Sequence, residues 1–199
     1  MNDDAKLKEF ILQFYPMSDE SCQLLTADMR LRTYKKGDVL MESGKVDTAM
    51  YIPYEGLFRV FYLDAKGNER TELFATPGNP YISCHSYFRG EPAFYQVEAI
   101  TSTASACFLP KKILEHLCSV NLEIANWVRT VCLDELYCLE RKSDIFGRYE
   151  ATERYQNLIK IRPELIREIP LKYIASYMGI TQQSLSRLRS KVHKKGCIR

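Results

Sequence analysis

Apolar residues recur at helical spacing at the start of the chain, crowd into short runs through its middle, and return to helical spacing after Pro110. In residues 4–29, Leu7, Phe10, Ile11 and Phe14 fall at helical spacing, which predicts an opening helical segment. The runs that follow are MYIPY (50–54), LFRVFYL (57–63), TELFAT (71–76) and QVEAITSTASACFL (96–109). They are punctuated by turn signals rich in glycine: KKGD (35–38), ESGK (42–45), YEG (54–56), DAKGN (64–68) and TPGN (76–79). Short β-rich runs between such turns predict an all-β sandwich, roll or barrel, with LDAKGNER as a hairpin turn.

After Pro110, KKILEHL begins a helical stretch, and residues 121–142 contain neither Gly nor Pro. Ile124, Val128, Val131 or Cys132, and Leu139 share one face of this long helix. Trp127, Leu133, Leu136 and Tyr137 make it apolar on more than one side. Such a helix packs on its own domain and on something else, and a second copy of the chain is the simplest partner. Ile124, Val128, Val131 and Leu139 are therefore the expected dimer seam. Gly147 reads as a joint, and residues 151–166 as another helical piece interrupted at Pro163.

The most informative stretch is IPLKYIASYMGITQQSLSRLRSKV (169–192). Pro170 suits the first turn of a short helix whose apolar face is Ile174, Ala175 and Met178. Gly179 stands where the chain must turn sharply, and Thr181 is a good N-cap for the next helix. Leu185, Leu188 and Val192 pack that second helix back on the first. This is a helix-turn-helix layout, whose second helix enters the DNA major groove. The outward residues are Thr181, Gln182, Gln183, Ser184, Arg187, Arg189 and Lys191, followed by Lys194 and Lys195. Gln pairs with adenine edges and Arg with guanine edges, while Ser184 and Lys191 suit phosphates.

Charge sharpens this picture. Residues 150–199 carry eleven Lys/Arg against four Asp/Glu, or +7, while the remaining 17 bases and 21 acids give −4. A basic C-terminal part behind an acidic body points to a polyanion, nucleic acid first. No stretch approaches the roughly 20 uninterrupted apolar residues of a membrane span. The start, MNDDAKLKEF, lacks an apolar signal core, so a cytoplasmic protein is expected. The seven cysteines include no C-x-x-C pair, and neither a metal site nor a cofactor is expected.

Over nearly its whole length the chain resembles the Crp/Fnr superfamily of bacterial transcription regulators. Residues 35–78, KKGDVLMESG through ATPG, resemble the opening of that family's cyclic-nucleotide-binding-like β-roll. IPLKYIASYMGITQQSLSR resembles its DNA-reading motif, with Arg187 at the matching arginine. The resemblance implies an α+β protein: an N-terminal jelly-roll-like β-roll, a long dimerisation helix, and a C-terminal winged-helix-like helix-turn-helix. The short run after Gly196 suggests a short or missing wing. The expected divisions are 1–118 (effector domain), 119–146 (dimerisation helix and hinge) and 147–199 (DNA-binding domain). It also implies a homodimer on a near-palindromic double-stranded operator, with RNA polymerase as a further partner. Iron–sulfur members carry clustered N-terminal cysteines, but only Cys22 lies there, and a lone His85 is poor support for haem.

One segment departs from the family. Where cyclic AMP binders carry Gly-Glu-Leu, this chain reads Ile82-Ser83-Cys84, and the Arg-Ser place falls around Ala93-Phe94. The missing arginine leaves a buried cyclic phosphate without its countercharge, so cyclic AMP is not the expected effector. Tyr81, Ser83, His85, Arg89 and Tyr95 would line a pocket for a different small molecule; alternatively the aromatics fill the space. Cys84-His85 also suggests a Cys-dependent enzyme, but neighbours on a strand point to opposite faces, and no catalytic residue is assigned. A ligand-binding signalling module without DNA contact is the other alternative.

Overall fold

The computed structural model describes residues 3–196. The expected short or missing wing falls on residues 197–199, outside the described residues. The opening helical segment is two helices, α1 (Asp3–Leu12) and α2 (Asp19–Ala27). Pro16 stands between them, where a continuous helix would lose a backbone hydrogen bond. Ser18 restarts the helix, its hydroxyl accepting from the Ser21 amide at 3.2 Å.

Eight strands follow: β1 (Arg30–Lys35), β2 (Val39–Met41), β3 (Met50–Glu55), β4 (Phe58–Leu63), β5 (Glu69–Ala75), β6 (Tyr81–Ile82), β7 (Gln96–Ala99) and β8 (Thr103–Leu109). They form two four-stranded sheets, ordered β1-β8-β3-β6 and β2-β7-β4-β5. β8 pairs antiparallel with both β1 (Thr33↔Ser105) and β3 (Ile52↔Cys107). The long run 96–109 divides into β7 and β8 because Thr101 turns the chain. Its hydroxyl accepts from the Leu57 amide at 3.0 Å and donates to the Thr103 carbonyl at 2.8 Å. Gly56 sits against this turn with φ +71°, and a Cβ there would lie 2.4 Å from the Thr103 carbonyl oxygen.

Helices α3 (Lys111–Val120) and α4 (Leu122–Arg148) follow. Leu7, Ile11, Leu25, Ile52, Leu109, Leu114, Ile124 and Trp127 belong to one apolar core drawn from helices and sheet. The Trp127 indole donates to the Ile11 carbonyl at 2.9 Å, satisfying its one polar atom. This corrects the expected dimer seam. Ile124 is fully buried in that core, and Val128 and Val131 pack half-buried against it. Apart from Leu122 at its start, the exposed apolar positions of α4 come later and include Cys132, Leu133, Leu136, Tyr137 and Leu139.

Four helices end the described residues: α5 (Ala151–Ile161), α6 (Pro163–Glu168), α7 (Leu171–Tyr177) and α8 (Gln182–Gly196). The described residues fall into two compact units. One runs up to Val60 and resumes at Phe74–Tyr137; the other is Phe61–Leu73 with the chain from Cys138 onward. The hairpin 61–73 therefore groups with the C-terminal helices, which no contiguous division of the chain anticipates.

Candidate nucleic-acid interface and effector segment

The turn between α7 and α8 is built as the sequence dictates. Gly179 adopts φ +67°, and its amide donates to the Ser176 carbonyl at 3.1 Å. The Ile180 amide reaches back to the Ala175 carbonyl at 3.0 Å, closing the end of α7. Thr181 caps α8: its hydroxyl accepts from the Ser184 amide at 3.1 Å and donates to the Ser184 hydroxyl at 2.9 Å. Ile174, Ala175, Met178, Leu185 and Leu188 are buried with Tyr155, Leu165 and Ile169. Arg154 braces the turn, donating to the Met178 carbonyl at 3.2 Å and to the Tyr149 carbonyl at 3.0 Å. Its guanidinium also lies 4.9 Å from the Phe146 ring centroid.

This packing decides which side chains of α8 face outward. Thr181, Gln182, Gln183, Ser184, Arg187 and Lys191 are exposed, as the pattern predicts. Ser186 and Ser190 join them, small polar positions on the face opposite Leu185 and Leu188 that the sequence reading passed over. Arg189 differs from expectation. It follows Leu188 and lies half-buried on the inward flank. Burial pushes the Tyr155 hydroxyl up, and the Arg189 charge beside it offsets part of that rise. Arg189 therefore sits at the margin of the outer face, beside Tyr155. The backbone of α8 continues through Lys194 and Lys195.

The effector segment does not form one convergent site. Residues His85–Arg89 make a single π-helical turn, ended by Gly90 at φ +69°. Cys84 and His85 thus lie at the start of a helical turn, not on a strand as expected. Ser83 is buried and its hydroxyl accepts from the Ser86 amide at 3.4 Å. His85 is exposed, with Nδ1 3.5 Å from the Glu91 carboxylate. Arg89 is exposed and so is no buried countercharge. Tyr81 and Tyr95 are half-buried, and Tyr95 packs edge-on against exposed Phe94 with ring centroids 5.1 Å apart. Burial of the Cys84 sulfur, then the nearby Glu135 and Cys132, pushes its thiol up, although the residue as a whole is exposed. A raised thiol is the opposite of an activated nucleophile.

Sequence reasoning missed a buried guanidinium. Arg59 on β4 is 1% exposed and meets the Glu98 carboxylate of β7 at 3.1 Å. The signal was present: a lone charge inside the apolar run LFRVFYL. Buried charges are kept only when paired. Glu98 holds this one, so the pair is self-satisfied and asks for no ligand anion.

Comparison with known proteins places this geometry. The sequence profile of the cyclic nucleotide-binding domain matches residues 31–121. The chain is 23% identical to the anaerobic regulatory protein of Haemophilus influenzae, over 98% of this chain and 79% of that protein. The structure of FixK2 from Bradyrhizobium japonicum superposes with a TM-score of 0.71 at 21% identity, covering 84% of this chain and 86% of that one. The c-di-GMP-responsive global regulator CLP of Xanthomonas campestris gives 0.71 at 12% identity, over 90% and 93% of the two chains. No helix among the described residues is long and apolar enough to cross a membrane. Residues 31–121 thus match the cyclic nucleotide-binding domain, and the chain is similar in sequence to an anaerobic regulatory protein and in fold to FixK2 and CLP.

Proposed function

We propose that the protein is a homodimeric, sequence-specific DNA-binding transcription regulator that does not answer to cyclic AMP. The observation that carries the reading is the α7–α8 pair: a glycine-turned, threonine-capped helix-turn-helix that packs Leu185 and Leu188 inward and exposes Gln182, Gln183, Arg187 and Lys191. Gln183 and Arg187 are one helical turn apart and suit base edges; Thr181, Ser184 and Lys191 suit the phosphates. The dimer contact is the exposed half of α4. Cys132, Leu136 and Leu139 follow a four-three spacing, the repeat by which two helices pack along a seam, and Leu133 and Tyr137 flank it. A second copy brings a second α8 to the other half of a near-palindromic operator.

The chemistry of the segment argues against cyclic AMP. Ala93 and Phe94 stand where the phosphate-binding Arg-Ser would be, and Arg89 faces solvent. The effector, where one acts, is a small molecule of other chemistry. Selecting bound sequences from a random DNA pool tests the reading. A palindromic site should emerge, bound with a steep inverse salt dependence. Arg187→Ala should relax preference at one base position, whereas Lys191→Ala should weaken all sequences alike. Failure to enrich any sequence would refute the DNA-binding reading. Tight cyclic AMP binding by calorimetry would refute the effector statement.

A further inference from the structure

β5 is an edge strand, and edge strands present unpaired backbone groups on their free side. Here that side is met by a side chain of the helix-turn-helix. The Thr71 amide donates to the Ser176 hydroxyl at 2.9 Å, and the same hydroxyl donates to the Glu69 carbonyl at 2.9 Å. Residues two apart on a strand turn these groups to the same side, so one hydroxyl serves both, as a neighbouring strand would. Ser176 lies on α7, the first helix of the motif. A second tie lies beside it. The Lys142 ammonium of α4 donates to the Glu72 carbonyl at 2.7 Å and also meets the Glu72 carboxylate. Lys142 stands 5.7 Å from the ring of Tyr177, the residue after Ser176. Tyr177 packs edge-on against Phe146, with centroids 6.0 Å apart. All of these residues belong to the unit formed by 61–73 and the C-terminal helices.

We infer that Ser176 is a positioning residue for DNA binding, pegging the first helix of the helix-turn-helix to the free edge of β5. The inference rests on the DNA-binding reading above. The peg holds α7, and α8 follows through the Gly179 turn and the Leu185 and Leu188 packing. The pegged form favours binding. None of its residues lies on α8, whose polar face stays exposed while the hydroxyl bridges Glu69 and Thr71. The hairpin 61–73 thereby becomes part of the DNA-binding apparatus, continuous along β4 and β5 with strands of the nucleotide-binding-like domain.

The test uses the full chain with Ser176→Ala and Ser176→Thr. Amide exchange of Thr71 is read without DNA, and affinity is read on the selected operator. Ser176→Ala should speed Thr71 exchange about tenfold and weaken operator binding about fivefold, the factor a lost hydrogen bond commands. The salt slope should be unchanged, because no phosphate contact is removed. Ser176→Thr, which keeps the hydroxyl, should restore both. Unchanged Thr71 exchange in Ser176→Ala would overturn the peg. Faster exchange with equal or tighter operator binding would overturn its positioning role. Wild-type protein that binds no DNA would sink the functional reading instead, and that control is scored first.

Discussion

Gly179→Ala isolates the conformational cost of the turn on which the proposed DNA-reading motif depends. Gly179 holds φ +67°, a region where an L-residue brings its Cβ against its own backbone. Nothing lies within 4 Å of a Cβ built there, so no external clash adds to that cost. Alanine in a left-handed conformation costs about 1 kcal/mol. The stiffer unfolded chain offsets part of this, about 0.4 kcal/mol or more. The expected result is a net loss of several tenths of a kcal/mol to about 1 kcal/mol, with asparagine costing less than alanine because it tolerates this conformation. Gly56→Ala is the internal contrast. It has the same sign of φ, but its Cβ would lie 2.4 Å from the Thr103 carbonyl oxygen, and backbone cannot swing aside as a side chain can. Urea unfolding followed by circular dichroism ranks the three variants, and gel shift shows whether operator affinity falls with Gly179→Ala. A neutral or stabilising Gly179→Ala would refute the argument. So would a Gly179→Ala as damaging as Gly56→Ala, since it would imply a clash that the geometry denies.

Three further outcomes follow from other parts of the molecule. Leu136→Glu places a charge in the exposed seam of α4 and should convert a dimer to a monomer in sedimentation, with loss of two-half-site binding; a dimer that persists would refute the seam. Arg59→Ala strands the Glu98 carboxylate, 18% exposed, and should cost about 3 kcal/mol in urea unfolding. A loss below about 1 kcal/mol would mark the pair as no stronger than a surface one. Asp64 is held at about 2 by the Asn68 amide above all, with the Lys66 amide and Arg70 helping. Its folded value is depressed, so its contribution to the hairpin is complete above the ordinary carboxylate pKa of about 4 and is lost as pH falls through about 2. An NMR titration of its carboxyl with a midpoint near 4 would contradict this.

The sequence made legible whatever local chemistry determines. The glycine turn, the Thr181 cap and the three-four spacing of Ile174, Ala175 and Met178 are local, and each stands as read. The β3, β4 and β5 runs were visible because their cores are apolar; β2 and β6, three and two residues long, carry too little pattern to separate from the turns around them. What failed depended on distant residues. Ile124 and Leu136 both read as apolar helix positions, and only the presence of Ile11 and Leu25 in the same core tells which face is already covered. Arg189 reads as fully outward, and only Tyr155, 34 positions earlier, shows why it is half-buried. The service of Ser176 to β5 spans about a hundred residues, and its hydroxyl leaves no periodic trace.

The burial of Trp127 has a practical consequence. It is the chain's single tryptophan, wholly shielded from water, with its indole bonded to α1 and a Phe14 ring edge-on at 6.5 Å. Selectively excited fluorescence therefore comes from one place, the junction of α1 and α4 in the N-terminal unit, and no indole in the C-terminal helices contributes. The native protein carries a built-in optical label of that junction. A red shift on adding a candidate effector would register loosening at the root of α4 before any DNA is present.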